Sequence, residues 1–391
     1  MRVSERAMQW VALGAAMATT QAMVAQKTTQ TEQDKVVKIS QVQVIGSHNS
    51  YHSGFAPSER KYLETKNPQA LFSLDYKHAP LPDQLSGGVR QIEIDVFADA
   101  KGGRYSHLAI DDAVTKAGLP ADPDFDPQHE MDKPGFKVMH VQGVDQRSTC
   151  HTFVHCLTVV REWSKQHPQH LPIFILVESK EDSPKEQQRP GAIPTEPFTS
   201  AVFDALDAEI RSVFKPGEYI TPDEVRGKAP TLEAAVLAGG WPTLAKARGR
   251  VVFLMDQHKH GPIYAQGHPS LKGRILFTNS DPGQPETAFV EQNDGTKEAI
   301  DALVKKGYLV RTRTDEGTKQ ARTNDTTRRD LALSSGAQMI STDYPSSEPS
   351  QWTGFKVELP EGLVARCNPV NKPAGCVDSL LEPRAMATAA K

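Results

Sequence analysis

The chain has 391 residues, 45 Lys+Arg against 48 Asp+Glu for a formal net charge of −3, and is 38% hydrophobic and 24% charged. It is too polar for a multispanning membrane protein, and too apolar and too balanced in charge for a disordered one. It lacks the basic excess that marks a nucleic-acid footprint, and its length suits one large α/β domain or two medium ones.

Residues 1–25 read as a secretory signal. Arg2 and Arg6 form a short positive region, Met8 to Ala18 is mostly small or apolar, and cleavage sites follow Ala22 or Ala25. The apolar run is too short for a stable bilayer anchor, although an uncleaved anchor or a buried helix are the alternatives. A polar linker spans 26–38. Beyond it, eight apolar β-prone stretches recur, at 42–45, 89–96, 136–139, 173–177, 250–254, 274–277, 308–312 and 339–342. Amphipathic helical segments lie between many of them, at 152–166, 197–213, 296–306 and 325–335. This alternation predicts parallel βαβ units, and eight strands predict a closed (β/α)8 TIM-type barrel over 39–345 rather than a doubly wound sheet. No G-x-G-x-x-G follows the first strand, which weakens a dinucleotide-binding reading. Long loops at 97–135 and 178–196 follow strands two and four, on the face where such barrels build their sites. Residues 346–391 read as a Pro-rich appendage packed on the barrel.

Four cysteines fall in two close pairs, Cys150/Cys156 and Cys367/Cys376. In an exported chain these are most simply local disulfides. A helix through 150–156 would point the two side chains apart, so the first bridge predicts a turn there. His151 and His155 lie between the first pair, which leaves a two-Cys, two-His zinc site as the alternative, with a spacing that matches no common zinc pattern.

Polar residues gather at the strand ends. Strand one runs into Gly46-Ser47-His48-Asn49-Ser50-Tyr51, strand two contains Glu93 and Asp95, and strand three ends at His140. Strand four ends at Glu178 with Lys180 beyond it; Asp256 and Asn279 follow strands five and six; Arg311 and Arg313 lie on strand seven; Asp343 follows strand eight. Residues i and i+2 of a strand share a face, so Glu93 and Asp95 point together and repel unless a cation or proton joins them. Glu178 and the Asn49 carbonyl would complete an all-oxygen set for Ca²⁺ or Mg²⁺ rather than zinc. The bland alternative is a solvated strand face. His48 and His140 flank the carboxylate strand, where two imidazoles suit phosphodiester chemistry: one donates to a phosphoryl oxygen, the other protonates a leaving alkoxide. His52, His107, His129, His151 and His155 read as loop or surface histidines. Lys180, Arg311 and Arg313 are anion contacts or solvated charges, with the shared face of the two arginines favouring an inward role.

The runs I-G-S-H-N-S-Y (45–51), I-E-I-D (92–95), V-M-H (138–140) and I-L-V-E-S-K (175–180) together resemble the Ca²⁺-dependent phosphoinositide-specific phospholipases C, closest to the secreted bacterial branch. The resemblance continues through 144–150 and 163–172 and is specific over about residues 40–180. It implies a TIM-type barrel, distorted between its halves, and a calcium site of Asn49, Glu93, Asp95 and Glu178. It implies His48 on the pentavalent phosphoryl group, His140 as general acid to the diacylglycerol leaving group, and Glu93 or Glu178 as general base towards the inositol 2-hydroxyl. No pleckstrin-homology, EF-hand or C2-like pattern is found.

The expected activity is calcium-dependent cleavage of phosphatidylinositol-type lipids, at a membrane surface, to diacylglycerol and inositol (cyclic) phosphate, by an exported periplasmic or secreted enzyme. No nucleic acid and no stable protein partner are inferred. One alternative is a glycerophosphodiester phosphodiesterase, whose first motif reads His-Arg where this chain has His48-Asn49. The other is a catalytically inactive lipid- or sugar-binding barrel.

Overall fold

In chain order the strands are β1 (Val42–Ser47), β2 (Gln91–Phe97), β3 (Lys137–Val138), β4 (Ile173–Ser179), β5 (Tyr219–Ile220), β6 (Val251–Met255), β7 (Phe277–Thr278), β8 (Phe289–Glu291), β9 (Leu309–Arg313), β10 (Met339–Thr342) and β11 (Ala365–Cys367). The computed structural model describes residues 29–382 except 184, 189 and 190, so the signal expected at 1–25 lies outside the described residues. Parallel pairing runs β6-β4-β2-β1-β10-β9-β8, with β7 parallel to β6 on its other side. Asn279, just past β7, bridges in parallel to Phe289 of β8, and Ser280 N–H donates to Phe289 O at 3.3 Å. The two ends of the ladder thereby meet, and the fold is the TIM-type barrel expected from the sequence. Its strands are almost wholly buried, as their Val, Ile, Leu and Phe runs require of a parallel sheet covered by helices.

The seams are uneven. β2 pairs with β4 from Gln91–Phe174 to Val96–Ser179, whereas β1 meets β2 only at Gly46 and Gln91. A Cβ on residue 46 would lie 1.9 Å from Gln91 Oε1, so glycine is what lets the buried Gln91 side chain occupy that seam.

Two expectations need correcting. The stretch 136–139 is no barrel strand: β3 runs antiparallel to the end of β2, with Val138 opposite Val96. The missing barrel strand is β8, only three residues long and preceded by the polar turn Asp281–Pro285, too short to carry a period. The expected helices form at Phe153–Gln166, Ser200–Val213, Lys297–Lys306 and Thr327–Ser334. Thr152, Thr199 and Thr296 cap the first three by accepting the N–H of His155, Val202 and Ala299.

Both cysteine pairs are disulfides, with Cα separations of 5.2 Å for Cys150–Cys156 and 6.1 Å for Cys367–Cys376. The expected turn occupies the residues before Phe153, and Cys156 lies in the first turn of the helix that starts there. The zinc alternative fails, because the two sulfurs bond each other and His155 Nδ1 donates to Glu130 at 2.9 Å. Within the segment read as linker, Gln30–Asp34 is helical and Val37 is buried. Within the C-terminal segment, β11 pairs antiparallel with the start of β1, and Phe355, Val357 and Leu359 pack with Ile45, Ile340 and Tyr344.

Candidate active site

The two-residue period of β2 sets Glu93 and Asp95 on one side, and β4, with Glu178 opposite Asp95, adds a third carboxylate. One oxygen from each lies within 4.8 Å of the others. Glu93 is 2% and Asp95 0% exposed, which excludes the solvated strand face. Burial raises Glu93 to about 7 despite the opposing Arg311, and burial followed by Glu178 pushes Asp95 well above the usual carboxylate range. Burial acts upward on Glu178 too, but Lys180 overrides it and holds that carboxyl low. Lys180 Nζ lies 3.2 Å from both Asp95 Oδ2 and Glu178 Oε1, and Gln257 Nε2 donates to Glu178 Oε1 at 2.8 Å.

Asn49 follows β1 with φ 46°, a left-handed conformation that asparagine tolerates. Its turn is fastened to β2, with Ser50 N–H donating to Glu93 O at 2.9 Å and Glu93 N–H to Ser50 Oγ at 2.8 Å. Asn49 Nδ2 donates to Tyr76 Oη at 2.7 Å, which leaves the buried Oδ1 with no hydrogen-bond partner among the described residues. Asp95 is met by Lys180 at 3.2 Å and by the Tyr51 hydroxyl. Clustered carboxylates and an orphaned buried amide oxygen fit a hard divalent cation, and the all-oxygen donor set of Asn49, Glu93, Asp95 and Glu178 suits calcium rather than zinc.

The histidines are each held by an aspartate. His48 Nδ1 donates to Asp343 Oδ1 at 2.7 Å, which turns Nε2 towards Glu93 Oε1 at 3.5 Å. Burial, then Arg313 and Arg311, hold His48 well below the ordinary imidazole range. His140 Nδ1 donates to Asp145 Oδ2 at 3.0 Å, and His52 Nε2 donates to Asp145 Oδ1 at 2.7 Å. Burial works against ionisation of Asp145, but His52 and His140 hold it well below the usual carboxylate range. His140 itself is lowered by burial. The surface reading of His52 is corrected: it is 0% exposed, with Nε2 turned to Asp145.

The three candidate anion contacts separate. Arg311 is buried inside the barrel, donating to Glu93, to Ser341 Oγ at 3.1 Å and to Asn293 Oδ1 at 2.8 Å, so its guanidinium faces protein groups. Arg313 Nη2 lies 3.8 Å from Asp343 Oδ2, beside His48. Lys180 belongs to the carboxylate cluster, and with His140, Glu178, Gln257 and Lys259 it lines a polar cleft of about 270 Å³. Sequence reasoning gave no role to Asp343, although it follows a barrel strand, nor to Asp145, visible only as part of the V-D-Q-R-S-T-C run. Gln257 and Tyr76 carried no signal.

A family model for calcium-dependent phosphoinositide phospholipase C matches residues 37–369. The chain belongs to this family; it is a phosphoric diester hydrolase of the phospholipase C class, and the family's metal is calcium. No curated protein matches the chain. Among solved structures, it is similar to a calcium-dependent phosphoinositol-specific phospholipase C from the Gram-negative bacterium Pseudomonas sp. (14% identity, TM-score 0.50, 86% of this chain and 96% of that one). The myo-inositol complex of that enzyme gives 14% identity and TM-score 0.50 over 88% of this chain and 100% of that one. A Ca²⁺-dependent phosphatidylinositol-specific phospholipase C from Streptomyces antibioticus gives 18% identity and TM-score 0.46 over 78% and 95%. At these identities the likeness to the Pseudomonas structures is one of fold.

Proposed function

We propose that the chain cleaves phosphatidylinositol-type lipids to diacylglycerol and inositol (cyclic) phosphate, with Asn49, Glu93, Asp95 and Glu178 as calcium ligands. The observation that carries this reading is the meeting of three carboxylates from β2 and β4, Glu93 and Asp95 buried and Glu178 half-buried, with the turn that carries the unpaired Asn49 Oδ1 hydrogen-bonded to β2. Bound there, calcium would neutralise phosphate charge and acidify the inositol 2-hydroxyl.

The remaining steps belong to side chains. Glu93 or Glu178 takes the 2-hydroxyl proton as its oxygen bonds to phosphorus. His48, fixed through Nδ1 by Asp343, takes a second proton at Nε2 as the anionic phosphate enters, and with it donates a hydrogen bond to a phosphoryl oxygen. The phosphorus–glycerol oxygen bond breaks, and His140 passes its Nε2 proton to the leaving alkoxide while keeping its Nδ1 proton on Asp145. Water later opens the cyclic phosphate. Arg313, beside His48, is the side chain best placed to meet phosphate charge; Arg311 acts as the internal counter-charge of Glu93. The two disulfides agree with export into an oxidising compartment; N-terminal sequencing of the mature protein after Ala22 or Ala25 tests the signal.

Purified protein incubated with phosphatidylinositol and with glycerophosphocholine, each with and without EGTA, tests the activity. Calcium-dependent cleavage of the first is expected; cleavage of only the second refutes the assignment. Glu93→Gln is expected to abolish calcium binding in isothermal titration while leaving the thermal melt in EGTA cooperative.

A further inference from the structure

Three of the four proposed calcium ligands are carboxylates, which offer oxygen at either end. Asn49 is an amide, whose Oδ1 can meet a cation and whose Nδ2 cannot. Turned over, the same side chain presents N–H groups where the ion needs an oxygen. The backbone bonds of its turn, Ser50 N–H to Glu93 O and His52 N–H to Asn49 O, both at 2.9 Å, fix the chain and leave that choice open. The side chain is 1% exposed, and among the described residues its one hydrogen bond runs from Nδ2 to the Tyr76 hydroxyl, at 2.7 Å.

Tyr76 holds that hydroxyl on a rigid ring in a crowded place. It is buried, with its ring 4.7 Å from that of His52, 5.8 Å from that of His78 and 6.1 Å from that of His48. The chain on either side is tied down too. Before Tyr76, the Asp75 carboxylate takes Arg60 and, at 3.1 Å, Arg322. After it, His78 N–H donates to His52 O at 2.8 Å, and His78 Nε2 donates to the His48 carbonyl at 2.9 Å. Glu348 in turn accepts the Ala79 N–H at 2.8 Å and faces His78 Nδ1 at 2.5 Å. The segment 75–79 is therefore fastened to the turn at His48, Asn49 and His52.

We infer that Tyr76 is a positioning residue of the calcium site: its hydroxyl takes the Asn49 amide nitrogen, so that Oδ1 is left for the ion. The inference rests on the ligand set proposed above and adds a residue on which that set depends without containing it. A hydroxyl both donates and accepts, so Tyr76 tolerates either end of the amide, and the orientation that offers oxygen to calcium carries no penalty. With phenylalanine in its place, that orientation buries an N–H without an acceptor, and calcium affinity falls by the penalty.

Calcium titrated calorimetrically into wild type, Tyr76→Phe, Asn49→Gly and the double variant tests this, with melts in EGTA to confirm that each is folded. Glycine keeps the left-handed backbone unstrained while removing the amide; should it fail to fold, Asn49→Ala takes its place. Tyr76→Phe is expected to bind calcium about tenfold more weakly than wild type. In the Asn49→Gly background the same change is expected to leave affinity unaltered, because no amide remains to be oriented. A role in packing alone weakens binding equally in both backgrounds, and that result overturns the inference. So does wild-type affinity in Tyr76→Phe beside a loss in Asn49→Gly. Wild-type affinity in Asn49→Gly refutes instead the assignment of Asn49 as a ligand, and no calcium binding by wild type refutes the metal site. On phosphatidylinositol, Tyr76→Phe is expected to need about tenfold more calcium for half its maximal rate and to recover the wild-type kcat at saturation. A kcat that stays low in saturating calcium overturns the positioning role.

Discussion

Asp343, at the end of the last barrel strand, holds the Nδ1 edge of His48, at the end of the first, across a 2.7 Å hydrogen bond. The contact spans 295 residues of sequence and exists because β10 pairs with β1 in register, Ser47 opposite Thr342. Asp343 is itself held: its backbone N–H donates to Asp315 Oδ2 at 3.0 Å, and Thr342 Oγ1 donates to Asp315 Oδ1 at 2.5 Å. A carboxylate so fixed sets one tautomer and one ring orientation for its histidine. Asp343→Asn is expected to lower kcat on phosphatidylinositol by about one to two orders of magnitude with little change in KM, since binding survives and the reacting edge of His48 is lost. A matching rise in KM with kcat intact would assign Asp343 to substrate binding instead.

Asp145 stands in the same relation to His140, with the added constraint that His52 shares it. The proposed role of His140 concerns only the leaving group, so disturbing its partner should show where the leaving alkoxide is poor. Asp145→Asn is expected to reduce kcat about a hundredfold for a diacylglycerol leaving group and less than about threefold for a nitrophenol, which leaves without a proton. Equal losses on the two substrates would mean that Asp145 supports only the fold of the loop. His140→Ala should give the same asymmetry.

Much of this was legible in the residues, for a physical reason. The carboxylates Glu93 and Asp95 sit two apart on an apolar strand, and a strand fixes their common direction whatever surrounds it. His48, Asn49 and Glu178 could be found because a barrel gathers strand ends on one face, whereas His140 was singled out at the end of a stretch that is no barrel strand. Partnership was not legible. Whether Arg311 meets substrate or Glu93 depends on register between β9, β10 and β1, which no local pattern states. His52 reads like any loop histidine until Asp145 is seen beside it. The missed strand β8 has three residues, fewer than two full periods, while 136–139 has strand composition without the parallel direction of its neighbours.

Glu209 offers a test of electrostatics away from the site. It lies on the helix Ser200–Val213, half-buried, with Oε1 accepting the Phe136 N–H at 3.0 Å and Oε2 without a hydrogen-bond partner among the described residues. Burial raises its pKa from 4.5 to about 7, against the pull of the Phe136 N–H and Lys137. A carboxyl with a folded pKa above its unfolded one contributes stability that is whole below the unfolded value and is lost as pH rises through the folded one. The loss therefore falls between pH 4.5 and about 7. Glu209→Gln keeps an acceptor for Phe136 and removes the charge. Relative to wild type, it is expected to gain about 2 kcal/mol of unfolding free energy between pH 4.5 and 8, read from urea melts at both pH values. An identical pH slope in the two proteins would show that Glu209 is solvated as well in the fold as in the unfolded chain.

Lys180 decides how the carboxylate cluster survives without metal. Its ammonium lies 3.2 Å from Asp95 and 3.2 Å from Glu178, so it supplies the positive charge that three crowded acids require. It also competes with any other cation for the same oxygens. Lys180→Met is expected to tighten calcium binding about tenfold in isothermal titration, corresponding to about 1.4 kcal/mol, because the acids then lack an internal counter-charge. The same change should lower the melting temperature in EGTA, where the acids repel one another, and should restore most of it when calcium is added. The two effects have one cause and must appear together. Weaker calcium binding in the variant would instead make Lys180 a support that holds Asp95 and Glu178 in place for the ion.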